Sequence, residues 1–423
     1  MNFLLIVLLL FAGGLSLYKN SDIFSPAKFF LLSFAVFHAG ILFMTAQTEL
    51  WMLVFIVLLV AYAVVLLEEK YKFFYYKGQQ DISGVVCTGT DICDDRLVWF
   101  LWMLSLPGLF SQAYMFYVFG GIEGFINSLA FRVVEWRGLG WAKTLISIMA
   151  PVNLVYFAIG LSKTRSRFWW RLYAIHFLCL MVLGVLLGSR SSILNVIALQ
   201  CFTFNYIRKP INPRLVVIFV FLLVLLSGVL GVIRDGLKFD GDELVTGLNY
   251  SESSMSYATF YYGVEPLSIL VKSPDLNLAY GSTFVSLFTN MIPRAIWPDK
   301  PDSGGVFFTK VYTGDAWDGA SNLTPTFMGE WVINFGWELG LLSFVISYVC
   351  LLSFVVKKYW LIRTKLLAVK NALNILDFII YVYLMWSIVA LMTGEVTNVI
   401  LNMVLSQLIP LFAIKIFVKR YVR

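Results

Sequence analysis

Residues 51–67, Trp-Met-Leu-Val-Phe-Ile-Val-Leu-Leu-Val-Ala-Tyr-Ala-Val-Val-Leu-Leu, run without a single charge and end at Glu68-Glu69-Lys70. As a helix this run would cover about 25 Å at ~1.5 Å per residue, close to the thickness of a bilayer's hydrocarbon core. Ten further runs have the same character: 2–18, 27–45, 97–119, 142–161, 172–187, 191–206, 215–233, 332–356, 374–393 and 398–417. The expectation is an all-α bundle of about eleven transmembrane helices forming one integral membrane domain over 1–423. Composition agrees. Hydrophobic residues make up 60% of the 423 and charged residues 13%, about half the ~25% usual in soluble proteins. Too little polar surface remains to coat a water-soluble globule.

The first run has no basic residue before it and no small-residue cleavage pattern, and reads as a retained span. Cys179, Cys201 and Cys350 lie in apolar runs and read as packing residues, while Cys87 and Cys93 have no histidine near them to make a zinc site.

Orientation follows from the cations. Clusters at Lys163–Arg171, Arg208–Arg214, Lys357–Lys370 and Lys419–Arg423 fall on one side together with Lys19, Lys28, Lys70, Lys72, Lys77, Arg96 and Lys415. That side holds 22 of the 32 Lys and Arg residues. The positive-inside rule makes it cytoplasmic and puts the N-terminus outside. The net charge of +7 is then an orientation signal, and no nucleic-acid partner is needed.

One long segment, 233–331, interrupts the spans on the outer side. It carries 12 carboxylates against 6 cations and neither cysteine nor histidine. Short helices are expected at 253–272 and 281–292, the second broken at Pro293, both apolar enough to lie in the interface or dip into the bundle. A second outer segment, 120–141, reads as one amphipathic interfacial helix.

Charges at membrane depth are the candidates for function. Arg190, in Gly188-Ser189-Arg190-Ser191-Ser192, sits at the tip of a tight hairpin among small hydroxylic neighbours. It reads either as a binder of a phosphate-type group or as an arginine snorkelling to the interface. Pro293-Arg294-Ala295-Ile296-Trp297-Pro298-Asp299-Lys300-Pro301 places three prolines in nine residues, so helix is denied and Arg294, Asp299 and Lys300 are held in set positions. A stiff loop with solvated charges would look the same. Arg234, beside Asp235, is either a membrane-edge pair or a third cation for one anion. Glu330 opens a span, where a carboxylate is favoured by the helix dipole alone. Glu338 or Glu395 could pair with an arginine. His38 and His176 read as hydrogen-bonding residues inside the bundle. There is no Walker-type loop and no metal-ligand spacing, so neither a metal nor a cofactor is expected.

Gly188-Ser189-Arg190-Ser191-Ser192, then Ile292-Pro293-Arg294 and Trp297-Pro298-Asp299-Lys300-Pro301, then Gly329-Glu330 and Asn334-Phe335-Gly336 entering a span, together resemble the Wzy-type O-antigen (oligosaccharide repeat unit) polymerases. The motif-bearing stretch covers about residues 184–340. The resemblance implies a C-type glycosyltransferase-like helical fold in the bacterial inner membrane, with 233–331 a periplasmic loop. It implies undecaprenyl-diphosphate-linked oligosaccharide as donor and acceptor, membrane lipid around it, and a chain-length regulator protein as a partner. The chemistry needs a stabilised leaving group and a deprotonated acceptor hydroxyl. Arg190 and Arg294, with Arg234 and Lys300 behind them, suit the first. Glu330, with Asp299 second, suits the base. Trp297 and Tyr261 suit stacking on sugars. An O-antigen ligase, a lipid-linked oligosaccharide flippase and a purely structural chain-length partner remain as alternatives. The resembled ligases carry a histidine in the large outer loop, which this loop lacks, and a flippase should carry charges through the bundle and show two related halves.

Reporter fusions at Lys209 and Lys358 are expected to read cytoplasmic and one at Gly304 periplasmic. A cytoplasmic signal at Gly304 would overturn this orientation.

Overall fold

The computed structural model describes the chain except for residues 21, 45–46, 78–93, 130–134, 137, 163–164, 188–189, 213, 217, 219–220, 223–224, 226–236, 241–242, 247–260, 274, 293–295, 315–322, 369–370 and 422–423. In chain order the helices are α1 (Asn2–Lys19), α2 (Pro26–His38), α3 (Thr48–Lys77), α4 (Asp94–Val118), α5 (Ile122–Ser128), α6 (Gly140–Ser147), α7 (Met149–Ser162), α8 (Arg167–Leu186) and α9 (Arg190–Ile207). A hairpin of β1 (Leu237–Asp240) and β2 (Glu243–Thr246) follows, antiparallel, with Leu237 opposite Thr246. Then come α10 (Glu265–Lys272), α11 (Ser282–Thr289), α12 (Gly304–Tyr312), α13 (Thr326–Ala368), α14 (Ala372–Ala390), α15 (Val396–Leu401), a π-helical stretch (Asn402–Leu408) and α16 (Ile409–Tyr421).

The chain is an all-α polytopic membrane protein. Among the described residues nine helices are long and apolar enough to cross a membrane, and Ser192–Ile207 is a shorter apolar helix. These coincide with ten of the eleven expected spans; the other, 215–233, falls largely outside the described residues. The hairpin β1–β2 is an addition that sequence periodicity did not suggest. The expected interfacial helix over 120–141 is also corrected. Among the described residues of that stretch Ile122–Ser128 is a helix, Gly138 takes a left-handed φ of 83° and α6 starts at Gly140, so no single helix runs through 120–141. Trp136 folds back to stack on Phe125 at 5.3 Å and donates its indole N–H to Ser128 Oγ at 2.8 Å.

Contacts gather the chain into two units. The first comprises Met1–Val85, Ser256–Leu361 and Leu384–Leu401, the second Val86–Met255, Ile362–Tyr383 and Asn402–Arg423. In the first, α1, α2 and α3 pack together, and α1 leaves Phe3, Leu10, Phe11 and Leu17 exposed, as a lipid-facing helix does. One end of this unit is tied by Glu68. Its carboxylate accepts the Ala27 N–H at 2.7 Å, one of the orphan donors in the first turn of α2, and the Asn20 amide at 3.2 Å. Its backbone carbonyl accepts Trp360 Nε1 at 3.1 Å, and Tyr359 donates to Asp22 at 2.6 Å. At the far end of α2, Gly263 donates its N–H to the Phe37 carbonyl at 3.0 Å and lies against the His38 ring. His38 itself stacks on Phe34 at 4.8 Å. This is the end where the long loop returns.

In the second unit His176 is fully enclosed in a polar chain. Ser105 Oγ donates to the Leu101 carbonyl at 3.0 Å, so it accepts from His176 Nε2 at 2.7 Å. His176 Nδ1 then accepts from Asn153 Nδ2 at 3.0 Å, and Asn153 Oδ1 accepts from Gln200 at 2.8 Å. The imidazole is thus satisfied on both nitrogens by α4 and α7, with α9 bonded to Asn153 behind it, as expected of a bundle histidine. The hairpin of α8 and α9 is close: a Cβ at Gly184 would lie 2.9 Å from Ile193.

Helix α13 is broken at Gly336, whose φ of 79° and ψ of 179° belong to a region essentially closed to other residues. The kink turns Thr326–Phe335 away from the long apolar part that follows. Gly336→Ala is expected to destabilise the protein by about 1–3 kcal/mol, read as a lower midpoint of thermal unfolding in detergent. An unchanged midpoint would show that the kink is not required.

Candidate active site

Four helix N-termini of the first unit meet around Glu330. The carboxylate rises from the first turns of α13 and is 0% exposed. Its Oε2 accepts the Val396 N–H at 2.6 Å, capping α15. Its Oε1 accepts the Thr283 hydroxyl of α11 at 3.1 Å. One turn on, Asn334 donates to the Glu330 carbonyl and to Thr283 Oγ1, both at 2.7 Å, and its own Oδ1 accepts the N–H of Gly281, the N-cap of α11. Gly281 holds a φ of 83°. Thr326 Oγ1 accepts the Gly329 N–H at 3.2 Å and closes the first turn of α13.

Glu395 completes the set. It precedes α15, is 0% exposed, and accepts the N–H of Gly305 in the first turn of α12 and the side-chain amide of Asn398. Each glutamate therefore caps a helix remote from its own: Glu330 caps α15, and Glu395 beside α15 caps α12. Burial pushes the Glu395 carboxyl above the ordinary range, and its bonds from Gly305 and Ser303 pull back against that. Ser286 and Thr397 share a hydrogen bond of 2.7 Å beneath the knot.

The proline turn is separate from the knot. Ile296, Trp297, Pro298 and Asp299 are exposed. Lys300 aims its ammonium at carbonyls at and just past the C-terminus of α11, Thr289 at 3.5 Å, Asn290 at 3.1 Å and Ile292 at 2.7 Å. A cation there complements the negative helix end. Tyr261 is half-buried and opens the turn that leads into α10.

Of the residues singled out in the sequence, Glu330, Asp299, Lys300, Trp297 and Tyr261 belong to the first unit. Arg190 heads α9 in the second unit, its side chain outside the described set; Arg234 and Arg294 lie outside the described residues altogether. Glu338 is exposed just past the kink, and among the described residues Glu395 meets backbone and amide N–H groups. Thr283, Gly304, Gly305 and Thr397 escaped the sequence reading. The one signal for them was Ser303-Gly304-Gly305, a serine N-cap before two residues with no Cβ.

These features define a polytopic helical membrane protein with a buried, paired-glutamate knot where its long loop returns to the spans. The chain is similar to the O-antigen polymerase of Salmonella typhimurium (strain LT2), 31% identical over 99 residues, which are 23% of this chain and 22% of that protein. It is similar in the same measure to the O-antigen polymerase of Salmonella typhi. The matched stretch thus spans under a quarter of the length of these curated relatives. No family model matches the chain, and no solved structure does.

The knot makes a sharp prediction at Gly304. A Cβ there would sit 2.7 Å from Glu330 Oε1 and 2.8 Å from its carboxyl carbon. Gly304→Ala is expected to cost about 1–3 kcal/mol by overpacking. Combined with Glu330→Ala, which removes the obstruction, the cost should be less than additive. Additive shifts in thermal midpoint would mean that the two groups do not press on one another.

Proposed function

We propose that this protein is an oligosaccharide repeat unit polymerase of O-antigen synthesis in the bacterial inner membrane. In this reading it transfers a growing chain from its undecaprenyl diphosphate carrier onto the sugar of a newly delivered lipid-linked repeat, at the periplasmic face. The observation that carries the reading is the motif-bearing loop, folded back through the glutamate knot onto the ends of the spans in a chain similar to two O-antigen polymerases. A second lipid-linked oligosaccharide, surrounding membrane lipid and a chain-length regulator protein are the partners that this reaction calls for.

The acceptor hydroxyl must lose a proton while the glycosidic bond to the diphosphate breaks. The base has to reach solvent-borne sugar. Asp299 is exposed on the proline turn; Glu330 is enclosed with both oxygens taken. In this conformation Asp299 takes the base role, Glu330 and Glu395 hold the helices that carry the loop, and Trp297 offers a ring for a sugar face. The leaving diphosphate is gripped by Arg190 and Arg294, with Arg234 in support. Lys300 already serves the carbonyls of α11, so its part is to fix the turn. An arginine fork meets two phosphate oxygens at once, which lysine cannot do. A charge pair at ~4 Å is worth about 4 kcal/mol at an effective dielectric near 20, before desolvation. Because charge grows on the leaving group as the bond breaks, part of that gain appears only in the transition state. Fixed cations neutralise the diphosphate without a metal ion.

Glycan ladders in a deletion strain, with membrane levels checked, test these roles. Asp299→Asn is expected to abolish the ladder, and Glu330→Gln, which keeps the shape of the cap, to retain most of it. The reverse pattern, with an unchanged thermal midpoint for Glu330→Gln, would return the base role to Glu330. Arg190→Lys and Arg294→Lys are expected to lose about 10²–10³ in rate, as with other charge-stabilising donors. Full-length ladders from both would sink the bidentate grip.

A further inference from the structure

Helix α11 is inside out for a helix on a soluble surface. Its hydroxyl stripe is buried: Thr283 is 0% exposed, Ser286 1% and Thr289 7%. The opposite stripe is apolar and open, with Val285 at 48% and Phe288 at 79%. Met291, Ile296 and Trp297 extend the exposed apolar surface beyond the helix, and Tyr280 precedes it. We infer that α11 lies in the membrane–water interface with Val285, Phe288 and Met291 among the acyl chains of the leaflet that borders the loop.

Three independent features point to lipid as the occupant. The first is continuity. Phe284 lies 6.2 Å from Phe335, whose exposed ring leads into Leu339, Leu342 and Ile346, the exposed apolar face of span α13. The open face of α11 thus extends the surface that a span turns to lipid. The second is backbone satisfaction. Hydrocarbon supplies no partners for unpaired N–H and C=O groups. At each end of α11 the protein supplies such partners itself: Asn334 accepts the Gly281 N–H, and the Lys300 ammonium donates to the carbonyl of Thr289 and to those of Asn290 and Ile292 just past the helix. The third is the border of charge. Asp299 and Lys300 stand at the edge of the patch, next to Trp297, and an indole beside charged groups is the composition of a headgroup belt. The helix's polar side is anchored at the same level, through Ser286 to Thr397 in the first turn of α15, where the last span begins. The inference rests on this helix alone and stands whether or not the protein transfers glycans.

The test uses the full chain in phospholipid nanodiscs, with the five native cysteines replaced and one cysteine placed at Phe288 or, as control, at Lys310 on α12, whose side chain is 40% exposed. Each is labelled with an environment-sensitive fluorophore. The label at 288 should emit to the blue, lose intensity to doxyl-labelled lipid and resist iodide. The label at 310 should do the opposite. Iodide quenching at 288 as strong as at 310 would overturn the inference. So would resistance at 288 to both quenchers, which would mean that a second copy of the chain or another protein covers the helix. Since Phe288 makes little packing contact, Phe288→Cys should leave the thermal midpoint unchanged. If it does not, Val285→Cys is read in the same way, with the same deciding outcomes.

Discussion

The loop end of the first unit depends on two carboxyl groups that exchange caps. A helix N-terminus presents N–H groups with no partner in the helix and carries roughly half a positive charge. Bringing the starts of α11, α12, α13 and α15 to one place concentrates those donors where water does not reach. Leaving a buried donor unpaired costs about 1–3 kcal/mol, so the knot forms only if acceptors come with it. Glu330 supplies one to Val396 and one to Thr283; Glu395 supplies Gly305 and Asn398. The swap is the essential feature. Each acid holds a helix distant in sequence, 66 positions in one case and 90 in the other. Neither α12 nor α15 can leave without unsatisfying the other's neighbour.

From that knot the placement of the loop follows. Helix α11 is docked by its hydroxyls, α12 by its first turn, and Lys300 fastens the proline turn to the end of α11. Prolines 298 and 301 then restrict the three residues between Trp297 and Pro301 to few conformations. Asp299 is the group left facing outward. In the proposed reaction a carboxylate on a stiff, anchored turn would meet a mobile glycan without paying the entropy of ordering itself, whereas a carboxylate inside the knot holds the frame.

The spans were legible because the membrane imposes a length: about 20 apolar residues per crossing, whatever their partners. The shorter run at Ser192–Ile207 was legible for the same reason, and the His176 interior followed from the rarity of lipid-facing imidazoles. The knot was half legible. Glu330, Asn334 and Gly336 stood out as a motif, and the structure gives each a physical reason: a cap, a bridge to α11 and a kink. What sequence could not show was that Glu330 points inward. That depends on Val396 and Thr283, which only folding brings to it. Lys300 is a similar case. In the same proline-rich stretch as Arg294 it looked like an anion binder, yet the turn brings this lysine back to the carbonyls at the end of α11. The expected helix over 120–141 does not run through Gly138, because an amphipathic pattern does not register a backbone that turns left-handed there.

Polar chemistry beside a bilayer faces opposing demands. Charged groups must stay hydrated to react, yet the elements that carry them must be anchored to an apolar slab. The structure separates the two demands by residue. The glutamates that anchor are dehydrated, and for Glu395 burial shifts the balance toward the neutral acid, which lowers the cost of hiding it. The neutral acid also removes the repulsion that two buried carboxylates near one another would suffer. The hydroxyls of α11 anchor without any charge at all, and this frees its other face to be apolar. A helix with hydroxyls inside and phenylalanine outside is unfavourable in water and favourable against lipid. With α11 in the interface as inferred, the sign of that preference, rather than any single contact, would fix the depth at which the proline turn and Asp299 are held.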